Sequence, residues 1–99
     1  MENSLDTSVP DFSVVVPVRN EADNVSPLIA ELKTVMTALQ PYEIVIVDDG
    51  SDDETFSLLG KVHDKNPKIK ILNLSRNFGK ELAMTAGIDH AAGQAVIPL

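Results

Sequence analysis

Seven residues of the chain, Asp48 to Glu54 (DDGSDDE), carry five carboxylates. Two other stretches mix charge with amides: PVRNEAD, from Pro17 to Asp23, and SRNFGKE, from Ser75 to Glu81. Carboxylates accept hydrogen bonds from a ligand N–H, such as the edge of a nucleobase. Lysine and free backbone N–H groups hold phosphate. The question is which elements bring these three stretches together.

Each follows a short apolar run. SVVVPV (Ser13 to Val18), IVIVD (Ile44 to Asp48), IKILNL (Ile69 to Leu74) and AVIPL (Ala95 to Leu99) read as strands. The first two are near-continuous β-branched runs, a pattern suited to strands covered on both faces. Between the strands lie helical patterns. Val25, Leu28, Ile29, Leu32, Val35, Met36 and Leu39 fall on one helix face. Pro27 sits in the first turn, where a missing N–H is harmless, and Pro41 marks the end. A second helix is expected to open at SDDE, with Ser51 and Glu54 at capping-box spacing, and to bury Phe56, Leu59 and Val62. A third, roughly Gly79 to Ala92, is rich in small residues and should pack close to the sheet, with Gly93 as its C′ residue. The order β-α-β-α-β-α-β with short connections predicts an α/β fold, a Rossmann-like parallel sheet with flanking helices. In such sheets ligands bind outside the carboxyl ends of the strands, where all three charged loops would lie.

Within the first loop, Asn20 or Asp23 could cap the first helix while Glu21 favours its positive end; a cap does not exclude a role in binding. In the second, Asp52, Asp53 and Glu54 suit a helix start. Asp48 and Asp49 are adjacent strand-end residues and must point in opposite directions, so one can hold loop backbone while the other faces a cleft. Gly50 supplies a tight turn. In the third, Lys80 opposes the helix dipole at a helix start. That placement suggests an anion nearby, or else a salt bridge from Lys80 or Arg76 to an acid of a neighbouring loop.

The chain has 99 residues, 43% of them hydrophobic, enough for one small domain with a core. A net charge of −7 argues against general nucleic-acid binding. With no cysteine there is neither disulfide nor thiolate metal site, which fits a cytoplasmic setting. No apolar run reaches the ~20 residues of a membrane span. Residues 1–11 read as a flexible polar leader without signal-peptide character. G-x-G-x-x-G and P-loop motifs are absent, and His63 and His90 lack ligand-spaced partners. A receiver-like phospho-acceptor domain would place its acid pair after the first strand; here that strand ends in PVRN.

SVVVPVRNEADNV, YEIVIVDDGSDDET and ILNLSRNFGKELAMTAGIDHAAGQAVIPL closely resemble the opening of family 2 glycosyltransferases of the GT-A fold. V-P-x-x-N-E followed about 25 residues later by V-D-D-G-S is specific as a pair. Within the family the likeness is to polyprenyl-phosphate glycosyltransferases, of the dolichol-phosphate mannose synthase and undecaprenyl-phosphate glucosyltransferase types. The resemblance covers nearly all of residues 13–99. It implies transfer of a hexose from a UDP- or GDP-linked sugar to a polyprenyl phosphate at the cytoplasmic face of a membrane. Pro17, Arg19 and Glu21 match the loop around the donor nucleotide, and Arg19 replaces a frequent aromatic whose stacking a guanidinium can imitate. Val47 and Asp49 match base-contacting positions, Asp48 looks like the structural member of its pair, and Lys80 matches a basic position near the donor. The family's D-x-D motif, which holds Mg²⁺ or Mn²⁺ on the donor diphosphate, is expected immediately after Leu99, together with the catalytic base beyond it. Residues 12–99 thus read as the nucleotide-binding part of a larger domain, inactive alone and prone to self-association through an uncovered edge. The alternative is a non-catalytic nucleotide-binding domain.

Overall fold

The computed structural model describes residues 11–37, 42–93 and 95–98. The leader, apart from Asp11, and the side chains of Val35, Met36 and Leu39 lie outside the described residues. Four strands form one parallel sheet: β1 (Phe12–Val18), β2 (Tyr42–Asp48), β3 (Ile69–Asn73) and β4 (Ala95–Pro98). Three helices connect them: α1 (Val25–Met36), α2 (Thr55–Lys65) and α3 (Lys80–His90). The strand order is β3-β2-β1-β4.

Alternation along the strands divides the core. Val14, Val16, Val18, Ile44 and Ile46 pack with Val25, Ile29 and Leu32 of α1 and Leu59 of α2. Val15, Val45 and Val47 pack on the other face with Ala83 of α3. All seven residues of β2 are buried, as its unbroken apolar run requires. The chain steps outward from β1 to β3 with its helices on one face. It then crosses back beyond β1 to β4 with α3 on the opposite face. Reversing both direction and face preserves the hand of the crossovers. It also leaves a topological switch point between β1 and β4.

Helix α3 lies close to the sheet because its inner face is small. A Cβ at Gly87 would fall onto the side chains of Val15 and Val47. Gly93, expected as the C′ residue, lies two positions past the Ala91 cap instead. Its N–H donates to Ser13 Oγ at 2.7 Å. The second helix starts at Thr55 rather than Ser51, and no capping box forms. The N–H of Ser51 goes to Asp48 Oδ1, and that of Asp52 to Asn20 Oδ1, so both amides serve the loop before the helix begins. Phe56, expected in the core, is 45% exposed; Leu58 joins Leu59 and Val62 there.

Candidate functional site

Both acids that close β2 are nearly inaccessible. Asp48 points to the α1/α2 face, where Oδ1 accepts the Ser51 N–H at 3.0 Å. Its Oδ2 is buried with no protein partner. Asp49 points to the α3 face. There its two oxygens accept the N–H groups of Phe78 and Gly79 at 2.8 and 3.0 Å. A carboxylate has about four lone-pair sites, so these bonds leave acceptor capacity on Asp49. Between them the two acids tie the end of β2 to its own loop and to the loop after β3. Gly50, at φ +68°, permits the close approach: a Cβ there would fall onto the Arg76 carbonyl carbon and the Asn77 amide.

The first loop is stitched to the second. Asn20 adopts φ +53°, a left-handed conformation that asparagine tolerates. Its N–H donates to Ser51 Oγ at 2.9 Å while its side-chain oxygen accepts the Asp52 N–H at 2.8 Å. Neither Asn20 nor Asp23 caps α1; Asn24 stands at that position, without a side-chain cap bond. The candidate cap at Asn20 is therefore corrected to a bridge between loops, because this left-handed residue, four positions before the Asn24 cap, aims its side chain at the loop after β2. Next to it, the Glu21 N–H donates to Thr55 Oγ1 at 2.8 Å. Thr55, fully buried, donates a hydrogen bond from its hydroxyl to Asp53 Oδ1 at 2.5 Å, and the same oxygen accepts the Thr55 N–H. The hydroxyl and amide of Thr55 hold the Asp53 carboxyl below the usual aspartate range. Of the acids expected at the helix start, Glu54 stands at the cap position without a side-chain cap bond, and Asp53, just before it, accepts the Thr55 amide.

These contacts surround a cleft of about 240 Å³ lined by Pro17, Val18, Arg19, Glu21, Asp49 and Lys80. Five of the six nucleotide-site residues read from the sequence meet there. The sixth, Val47, is fully buried among Val15, Val45 and Ala83, with its side chain in the core. Asn20, Asp48 and Gly50 brace the loops from outside the cleft wall. Lys80 is the first residue of α3 and, among the described residues, forms no ion pair. Arg76 is not in an ion pair either; its guanidinium lies 4.7 Å from the Phe78 ring centre. Arg19 stands between this cleft and a larger cavity of about 660 Å³ that reaches Phe56, Asn73 and Arg76.

Away from the cleft, at the opposite end of β2, Glu43 is buried. It accepts from Ser13 Oγ (2.5 Å), the Ala92 N–H (2.5 Å) and Lys70 Nζ (2.7 Å). Burial pushes its carboxyl up, but the bonds from Lys70, Ser13 and Ala92 outweigh this and hold it below the usual glutamate range. An acid at the start of an otherwise apolar run, opposite Ser13 in register, was the available sequence signal for this network. His63 and His90 are exposed and bond carbonyls of Ile69 and Ala86. Among the described residues, no group of three or more His, Asp or Glu side chains could hold a metal ion. None of their helices is long and apolar enough to cross a membrane.

The parallel sheet, with helices on both faces and a cleft at the carboxyl ends of β1 and β2, defines a doubly wound class of α/β fold, and comparison with known proteins specifies it. The chain belongs to glycosyl transferase family 2, whose family model matches residues 13–99. It is 52% identical over 90 residues to an uncharacterised glycosyltransferase of Synechocystis, covering 90% of this chain and 28% of that protein. It is 44% identical over 90 residues to the bactoprenol glucosyl transferase of Shigella phage SfV, covering 89% and 29%. Among solved structures it resembles TarS of S. aureus in complex with UDP-GlcNAc, with TM-score 0.74 and 28% identity over 90% of this chain and 26% of that one. It also resembles the mannosyltransferase PcManGT of Pyrobaculum calidifontis in complex with GDP-Man and Mn²⁺, with TM-score 0.66 and 31% identity, covering 91% and 27%. The GT-A expectation therefore holds for the fold. The chain spans less than a third of the length of these relatives.

Proposed function

We propose that this chain is the nucleotide-binding part of a glycosyltransferase that moves a hexose from a UDP- or GDP-linked sugar to a polyprenyl phosphate at the cytoplasmic face of a membrane. The observation that carries the proposal is the meeting of Pro17, Arg19, Glu21, Asp49 and Lys80, from three separate loops, around one cleft. The cleft opens at the carboxyl ends of β1 and β2, the edge on which such sheets bind ligands.

The chemistry of the cleft suits a nucleoside diphosphate. Arg19 and Lys80 supply cations from two different loops, and Lys80 stands at the N-terminus of α3, where the first amides of a helix can face an anion. Glu21 and the free lone pairs of Asp49 accept from base or ribose N–H and O–H groups. Similarity to a bactoprenol glucosyl transferase supports the polyprenyl acceptor. The neighbours solved with UDP-GlcNAc and GDP-Man support either base.

Carboxylate oxygens suit the Mg²⁺ or Mn²⁺ that neutralises a leaving diphosphate, and one neighbour was solved with Mn²⁺. The described residues gather no set of ligands for such an ion. We place that site, and the catalytic base, after Leu99. The 99-residue chain accordingly binds nucleotide without transferring sugar.

Titration of the isotope-labelled chain with UDP and with GDP tests the proposal. Amide shifts should concentrate at Arg19, Glu21, Asp49 and Lys80. Absence of any shift at millimolar nucleotide would refute the nucleotide reading.

A further inference from the structure

Arg19 belongs to two cavities and is engaged by neither. It lines both the cleft and the larger neighbouring cavity. Its guanidinium instead lies 3.5 Å from Asp52 Oδ2, in a pair whose side chains are 42% and 81% exposed. So open a pair is weak, because water and salt screen it. The backbone beneath it is fixed. Asn20, next to Arg19, accepts the Asp52 N–H and donates to Ser51, which locks the two loops side by side. Moving Arg19 between Asp52 and the cleft therefore needs side-chain rotation only.

We infer that Asp52 is an affinity-setting residue: it competes with the nucleotide for Arg19. This rests on the nucleotide reading of the cleft. In the free protein Arg19 is parked on Asp52, and the cleft then presents Lys80 together with the acids Glu21 and Asp49. An incoming diphosphate carries more negative charge and offers the guanidinium several oxygens for a bidentate pair, which the single exposed contact to Asp52 at 3.5 Å does not form. Arg19 then crosses to the cleft and faces Lys80 over the ligand. Because Arg19 is parked in part of the molecules, apparent affinity is the intrinsic affinity multiplied by the fraction of molecules with the arginine free.

Removing the Asp52 charge should tighten binding by the worth of an exposed ion pair, about 1.4- to 5-fold. Asp52→Asn retains the backbone N–H that Asn20 uses. Glu54→Gln is the matched control, since it removes an equal charge from the same loop but has no contact with Arg19. UDP and GDP are each titrated by calorimetry into the wild-type chain, D52N, E54Q, R19A and the R19A/D52N double variant, at low and at high salt. The inference expects D52N to bind more tightly than E54Q, the gain to vanish in the R19A background, and the gap to narrow in high salt. If D52N and E54Q behave alike, or if D52N helps equally without Arg19, the competition is refuted while the nucleotide cleft stands. If no nucleotide binds the wild-type chain or any variant, the nucleotide reading itself fails, and the inference with it.

Discussion

Asp49 offers the sharpest test of how the cleft is built. It is 4% exposed, and each carboxylate oxygen accepts one backbone N–H of the loop after β3. Asp49→Asn keeps the shape and one carbonyl oxygen but places an NH₂ group against a buried N–H. One charge-assisted bond, worth about 1.5–3 kcal/mol, is lost, and the other weakens to neutral strength. The expected loss is about 2–4 kcal/mol, part of it in the local opening of the loop. For a chain of this size Tm falls about 4–8 °C per kcal/mol, so a drop of about 8 °C or more should be seen. Amide exchange gives the local readout. Phe78 and Gly79 should exchange roughly 30-fold faster if local opening becomes easier by about 2 kcal/mol. Nucleotide affinity should fall as well, because the same loop delivers Lys80. If Asp49→Asn left Tm and both amides unchanged while nucleotide binding weakened, the carboxylate would be a ligand contact and not a loop anchor.

Gly50→Ala should destabilise the chain by at least about 2 kcal/mol, since φ +68° disfavours any Cβ and this one would meet the Arg76 backbone; a lower urea midpoint is the measurement. Glu43, held below its ordinary value, contributes stability that is present above about pH 4.3 and lost as pH falls through its folded value. Glu43→Gln should therefore flatten the acid limb of a Tm-against-pH curve below about pH 4. The purified chain should give no sugar transfer from UDP-glucose or GDP-mannose to polyprenyl phosphate, with or without Mg²⁺ or Mn²⁺; a measurable rate in a radiolabel assay would overturn this. Leu82 and Ile88 on α3 are 58% and 40% exposed. Sedimentation velocity should show concentration-dependent association that Leu82→Lys with Ile88→Lys removes.

Much of the fold was legible because β1 and β2 are too apolar to be anything but covered strands, and because the prolines and small residues bracket the helices. The strand ends fell within two residues of the reading. What sequence could not show was how the loops share hydrogen bonds. Ser51 and Glu54 have the spacing of a capping box, yet Asp48 and Asn20 take the Ser51 and Asp52 amides first. Helix α2 thus begins only where Asp53 and Thr55 are free to pair. Competition of that kind depends on which strand ends are neighbours, and local pattern carries no trace of it. Phe56 misled for a related reason: with the helix starting later, its side chain falls outside the core and onto the rim of the larger cavity. The cleft residues were easier, because residues at the carboxyl ends of parallel strands share an edge whatever their side chains do.

The divided acids of β2 show why this edge can be both rigid and charged. Because consecutive strand residues face opposite ways, Asp48 and Asp49 serve two different loops from one backbone position. Each neutralises backbone N–H groups that would otherwise be unsatisfied beneath the cleft floor. Their negative charge is thereby spent on the scaffold, while the cations Arg19 and Lys80 remain unburied at the rim. An acidic chain of net charge −7 can in this way present a locally cationic pair to an anionic ligand. The arrangement makes a directional demand. Neutralising Asp49 should loosen the loop that carries Lys80 and so weaken nucleotide binding, whereas neutralising exposed Asp52 should strengthen it. Two aspartates three residues apart should therefore respond to the same Asp→Asn change with opposite signs in nucleotide affinity. A purely electrostatic account, in which every acid near the cleft repels phosphate, predicts the same sign for both.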